Sequence, residues 1–481
     1  MNSKRYAIFL LITLGFLQTK ASTGAQTFEQ QFFHTNQMPF PLPDIYPTDP
    51  IHLEIAPTEE ITRATIKKPW TFMVYIAADN DLRAFAANNI KQMASVGSNK
   101  NINIVIHLDI RLNGNKKMTR RYYVEKNKIT PIDPHAQNQH MDSGNPQTLV
   151  SFCESATRQY PAQNYALILW NHGTGIIDPR HYKIINPTDL FMFNPQTNKI
   201  ELDRSVGYLD LLSYKDLDLR GVCMDGTTGN YLTNQKMESA LHEICTRILG
   251  HKKLNILGFD ACLMSMLEVA DIAKEYADVL VGSQEVELGT GWNYARVLQP
   301  FTSKNLSCTA FAQHIVHAYR DSYDQITNDF TQSAINLSRI DQIEQNISEV
   351  ARILVECLTH QKNNSVKNTI KQCRNRRNCT SFDEPSYIDI HHFYTNLREN
   401  INKFIFNDQN KRSLIQDLNR TLVQGDKLLR SSVIQNVAGK NLKMAGGLSI
   451  YFPETRIHES YLKTNFAKKT AWLSFISRYL R

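Results

Sequence analysis

From Trp70 onward the chain alternates between two kinds of pattern. Short, almost wholly apolar runs recur: "WTFMVYIAA", "INIVIHLDI", "YALILW" at 165–170, "KLNILGF" at 253–259 and "ADVLVGS". Each has the length of a strand and is apolar at successive positions, as strands covered on both faces are. Between them lie stretches with helical spacing. One is "DNDLRAFAANNIKQMASVG". Another follows Cys262, where Leu263, Met266, Leu267, Ala270, Ala273 and Ala277 make one apolar face of a helix over Leu263 to Ala277. This alternation predicts βαβ units and an α/β fold with a mostly parallel sheet flanked by helices.

The pattern also divides the chain. Residues 1–25 begin "MNSKRYAIFLLITLGFLQTKASTGA", with Lys4 and Arg5 before an apolar run and small residues after it. That is the form of a secretory signal peptide, cut after Ala21 or Ala25, and too short in its apolar run to span a bilayer. Residues 26–68 are broken by prolines and read as an arm or pro-segment. Residues 69–300 hold the strand–helix core. Residues 301–435 read as polar helices inserted before a last sheet strand, "MAGGLSIYFP" at 444–453. Residues 436–481 carry that strand and a C-terminal helix. Ile176 to Lys215 shows no sustained period and reads as a long loop, the kind that is functional or mobile in a compact domain.

Composition adds little to this and excludes one class. The 481 residues carry a net charge of +8, with basic residues scattered except for "RNRR" at Arg374–Arg377, so nucleic acid is not the expected partner. Eight cysteines in an exported chain invite pairing, and "CRNRRNC" from Cys373 to Cys379 is the one local pair with suitable spacing. No cysteine or histidine spacing suggests zinc. A secreted or periplasmic protein without stable membrane insertion is expected.

Ligands of open α/β sheets bind at the carboxyl ends of the strands, so the residues that stand there matter most. "YALILW" runs into "NHGTG", and "KLNILGF" into "DAC". His172 and Cys262 thus leave the sheet at one edge. A thiolate attacks carbonyl carbon, and an imidazole can help form it and then protonate a leaving amine. A helix N-terminus behind Cys262 would lower its pKa. The backbone N–H groups of Gly173 and Cys262 could hold an oxyanion. Asp260 lies two residues before Cys262, placed to meet a cationic side chain, to orient the thiol or to cap the helix. Asp79 and Asp81, in "DNDL", form a helix-capping signature. Glu285 and Glu287 follow "ADVLVGS" and read as rim residues that line an acidic pocket or face water.

The stretches "MVYIAADNDL", "NHGTG", "GFDACLMSMLEVA", "SQEVELGTGWNY" and "GGLSIYFP", in that order, resemble the clostripain family of cysteine peptidases, which share the caspase-like fold. The resemblance covers roughly 70–300 and 444–453. It implies His172 and Cys262 as a catalytic dyad and Asp260 as a reader of Arg or Lys at P1, the residue before the cut bond. The expected partners are proteins or peptides with a basic P1 residue. No cofactor is required; calcium enters by the resemblance alone, with no ligand cluster visible. Lys183, Lys199, Arg204 and Lys215, in the loop beside the site, are candidate points of self-cleavage in a zymogen. The alternatives are a transpeptidase or amidase on the same fold, or a non-catalytic peptide-binding protein.

Overall fold

The computed structural model describes residues 32–33, 53–57, 67–111, 117–133, 140–177, 190–211 and 221–481. Contacts separate residues 1–36 from 37–481, and of the first unit only Phe32 and Phe33 are described. The expected signal peptide and most of the arm lie outside the described residues.

Fourteen strands are described: β1 (Glu54–Ile55), β2 (Lys68–Ala78), β3 (Ile102–Arg111), β4 (Lys117–Glu125), β5 (Lys128–Pro131), β6 (Ala162–Trp170), β7 (Phe191–Asn194), β8 (Lys199–Leu202), β9 (Leu254–Asp260), β10 (Ala277–Gly282), β11 (Thr331–Asn336), β12 (Tyr387–Asp389), β13 (Val433–Ala438) and β14 (Ser449–Tyr451). Ten form one sheet in the order β1-β5-β4-β3-β2-β6-β9-β10-β11-β13. The five central strands, β3 to β10, run parallel, and antiparallel pairs extend the sheet on either side.

β2 explains why such a strand is apolar on both faces. Residues alternate sides along a strand. Phe72 meets Tyr294 and Phe311, with ring centroids 6.3 and 5.9 Å away, so helices Tyr294–Leu298 and Cys308–Tyr323 cover that side. Tyr75 points the other way, 6.1 Å from Phe152 of helix Pro146–Gln159. That helix is capped at its start: the Asn145 side chain accepts from the Gln147 N–H, and a proline occupies the first turn.

The structure departs from the sequence reading in four places. The 301–435 stretch is rich in helix, yet it also carries β11, an integral strand of the large sheet. β11 buries Thr331, Gln332 and Ser333, so no apolar pattern marks it. Ser449–Tyr451 is a strand as read, but it pairs with β12 in a separate two-stranded ladder, and the outer strand of the large sheet is β13. The described part of the Ile176–Lys215 loop contains the β7–β8 hairpin, whose four-residue strands are too short to establish a period. Cys373 and Cys379 are unpaired: both thiols are buried, and the Cys373 thiol donates to the Asn396 carbonyl.

Candidate active site

The site grows from the ends of two adjacent parallel strands. β6 and β9 pair in register, Trp170 opposite Asp260, and the Asn171 N–H donates to the Asp260 carbonyl at 3.2 Å. Two residues beyond the last pair stand His172 and Cys262. The turn is pinned by the Asn171 side chain, which donates to the Ala77 carbonyl and accepts from the Met224 N–H. Gly173 must be glycine: a Cβ there would lie 2.4 Å from the Cys262 carbonyl oxygen. The backbones of the two strand ends therefore touch.

His172 is buried, and both ring nitrogens are engaged. Nε2 lies 2.9 Å from Asp81 Oδ1, and Nδ1 lies 3.2 Å from the Tyr208 hydroxyl. Asp81 comes from the loop after β2, the strand beside β6. The capping expectation for "DNDL" fails here. The helix Arg83–Val96 has Leu82 as its cap, without a side-chain cap bond; Asn80 accepts from the Leu82 N–H. Asp79 is tied instead to Arg111, 3.2 Å away, and to the Thr227 N–H.

Cys262 does not open a helix. Leu263 takes a left-handed φ of 62°, and the chain turns away before a helix forms at Leu267–Ala273, shorter than the expected Leu263–Ala277. A helix terminus therefore does not act on the thiol. Burial pushes its pKa up to about 12, while the Glu287 N–H, 3.2 Å from Sγ, pulls the other way.

The neighbouring carboxylates are buried, not on a rim. Asp260 accepts from the Trp292 N–H at 3.0 Å and the Tyr294 hydroxyl at 2.7 Å, and burial raises its pKa to about 7. Glu287 is raised well above the ordinary range by burial and by Asp260 beside it, with which its carboxyl shares a hydrogen bond. Glu285 is already committed, to Arg204 at 2.8 Å and to the N–H groups of Val286 and Asp383, both at 2.9 Å. One pocket joins His172, Cys262 and Tyr208 to Asp260 and Glu287, and Phe191, Val286 and Leu288 give it an apolar wall. Among the described residues no set of three or more His, Cys, Asp or Glu side chains is arranged to hold a metal ion. Asp81 and Tyr208 were not legible as site residues. Strand order could have revealed Asp81, because the loops after β2 and β6 must be neighbours.

A sequence model of the clostripain family, Peptidase_C11, matches residues 74–187 and 210–479. The chain belongs to the clostripain family of cysteine peptidases. Clostripain of Hathewaya histolytica is 25% identical over 254 residues, covering 47% of this chain and 41% of that protein. The match thus spans about two fifths of the relative's length. A secreted C11 cysteine protease from Bacteroides thetaiotaomicron, solved with an irreversible peptide inhibitor, superposes with a TM-score of 0.53 at 16% identity, covering 85% of this chain and 99% of that one. An inactive zymogen C11 protease from Parabacteroides distasonis gives 0.52 at 18% identity, covering 86% and 99%. These likenesses place the clostripain-family chain in the caspase-like fold.

Proposed function

We propose that this chain is a cysteine endopeptidase that cuts after Arg or Lys through Cys262 and His172. The observation that carries the reading is the placement of these two side chains on adjacent strand ends, with His172 Nε2 held by a buried carboxylate and with Nδ1 and the Cys262 thiol both against the Tyr208 hydroxyl. The Cys262 thiol passes its proton to His172 Nδ1, and the thiolate attacks the scissile carbonyl carbon. The resulting oxyanion accepts from the N–H of Gly173 and of Cys262. The imidazolium gives its proton to the departing amine as the C–N bond breaks, leaving a thioester on Cys262. His172 then takes a proton from water. The hydroxide attacks the thioester, releasing the carboxylic product and restoring the thiol. Asp81 is a positioning residue: it fixes the ring and stabilises its charged form.

The hydrogen-bonded Asp260–Glu287 pair, holding one charge between its two carboxyls, is the group available to a P1 cation. Glu285, engaged by Arg204, stands outside the pocket floor. The mechanism needs no cofactor. Export through the 1–25 segment is part of the proposal; it is supported by the description of one structural neighbour as secreted, and no helix among the described residues is long and apolar enough to cross a membrane. Self-cleavage near the site is part of it too. Lys199 donates to Asn328 Oδ1 at 2.9 Å and Arg204 to Glu285, which makes them poor points of attack. Lys183 and Lys215, outside the described residues, remain the candidates.

The test is a panel of fluorogenic peptides that differ only at P1, run with wild type and Cys262→Ala. Basic P1 peptides should be cut by wild type alone. Comparable turnover by a folded Cys262→Ala protein sinks the reading.

A further inference from the structure

The segment 190–211 is strapped across the core. Ile200 N–H donates to the Ile326 carbonyl at 2.8 Å, Leu202 N–H to Asp329 at 3.2 Å, and Arg204 to Glu285 at 2.8 Å and Asp329 at 3.4 Å. Tyr208 N–H donates to Asp383 at 2.6 Å. These anchors deliver the Tyr208 side chain, 1% exposed, into the gap between the two strand ends. Its hydroxyl lies 3.2 Å from His172 Nδ1 and is within hydrogen-bonding reach of the Cys262 thiol and the Gly173 N–H.

Those three groups are the ones a scissile carbonyl must meet: the attacking sulfur, the imidazole and an oxyanion donor. Here they converge on one oxygen of the chain's own phenol. Two oxygens cannot share that volume, since hydrogen-bonded oxygens stay about 2.7 Å apart. We propose that Tyr208 occupies the subsite of the substrate carbonyl oxygen, so that the chain as seen here is closed and a peptide enters only when the 190–211 strap lets Tyr208 withdraw. This rests on the reading of Cys262, His172 and Gly173 given above.

The burial of the phenol agrees with a plug and not with a group that exchanges with water. The anchors flank it. Arg204, four residues before Tyr208, clasps Glu285, two residues before Glu287 in the pocket. Asp383 holds the Tyr208 backbone from the far side. Release of Arg204 should therefore free Tyr208 without touching either strand end.

The experiment uses the full chain, shown to be uncut by intact mass, as wild type, Tyr208→Phe, Arg204→Gln and Cys262→Ala. Two quantities are read: the rate of iodoacetamide alkylation at Cys262, located by peptide mass mapping, and kcat/KM on an arginyl peptide. Loss of the hydroxyl bonds should raise both by about 2- to 12-fold in Tyr208→Phe, the worth of one hydrogen bond. Arg204→Gln, which keeps the phenol, should raise both in the same direction. A fall in kcat for Tyr208→Phe with unchanged alkylation would make the hydroxyl an oxyanion donor and overturn the proposal. No change in either quantity for both variants would also overturn it. Activity retained in Cys262→Ala would instead overturn the dyad, whatever Tyr208 does.

Discussion

The residue that changes most between sequence and structure is Asp81. A local signature made it a helix cap; the fold gives it to His172. Both side chains are 6% exposed, so the pair is poorly screened. If Asp81 positions the ring, Asp81→Asn should lower kcat by roughly 10²-fold, the scale of misplaced acid–base catalysis, with KM nearly unchanged. A loss of thermal stability with kcat intact would give it a purely structural role. Glu287 supports a second expectation. Glu287→Gln should lower kcat/KM for Arg and Lys peptides by about 10- to 150-fold, the worth of a charged hydrogen bond, and spare neutral peptides. Cleavage after basic residues should also weaken as pH falls through about 7, where Asp260 takes up its proton and the pair loses charge. Equal losses on all substrates would mean that Glu287 serves Cys262 through its N–H loop alone.

At the scale of elements, the short helix Leu267–Ala273 shows a cost of burying charge. Glu268 is fully buried; one oxygen accepts from the Tyr451 N–H and the Tyr461 hydroxyl, and the other has no partner. Burial raises its pKa from 4.5 to about 7. The folded state therefore holds this proton more tightly than the unfolded chain does. The associated stability is present in full below pH 4.5 and is lost as pH rises through about 7. Glu268→Gln removes that loss. Its Tm should exceed that of wild type by a few degrees at pH 8 and match it near pH 4, as a stability shift of about 1 kcal/mol implies. A variant less stable at both values would show that the carboxylate is needed ionised. The same helix shows what the sequence could not tell. Its apolar spacing begins at Leu263, but spacing is blind to the left-handed turn at Leu263 that delays the helix to Leu267. β11 was hidden for the opposite reason, since it buries polar side chains. Elements whose apolar runs are unbroken, β2, β6 and β9, were legible, and so were His172 and Cys262, which stand where those runs stop. Asp81 and Tyr208 were not, because their partners are distant in the chain and only strand order or a folded strap brings them together.

At the scale of the molecule, the seam between β6 and β9 decides what self-cleavage would do. A cut after Lys183 or Lys215 leaves His172 in one fragment and Cys262 in the other. The seam pairs Ala166–Trp170 with Ile256–Asp260 inside a sheet covered on both faces. Helix Pro146–Gln159, before the cut, is joined to the segment after it by Gln147 donating to Glu243 at 2.9 Å. The fragments should therefore elute together on size exclusion in native buffer and separate only in denaturant. Separation in native buffer, with activity retained, would contradict a dyad shared across the seam.

That seam also separates two free energies. β6 and β9 lie at the centre of the sheet, so their amides should exchange only when the whole domain opens. The 190–211 strap rests on a few hydrogen bonds and charge pairs and can open far more often. The reactive pair is thus finished before it is exposed. Substitutions at strap anchors such as Arg204 can set how readily the enzyme is released, over a wide range, without drawing on the stability of the fold that holds Cys262 and His172 in place.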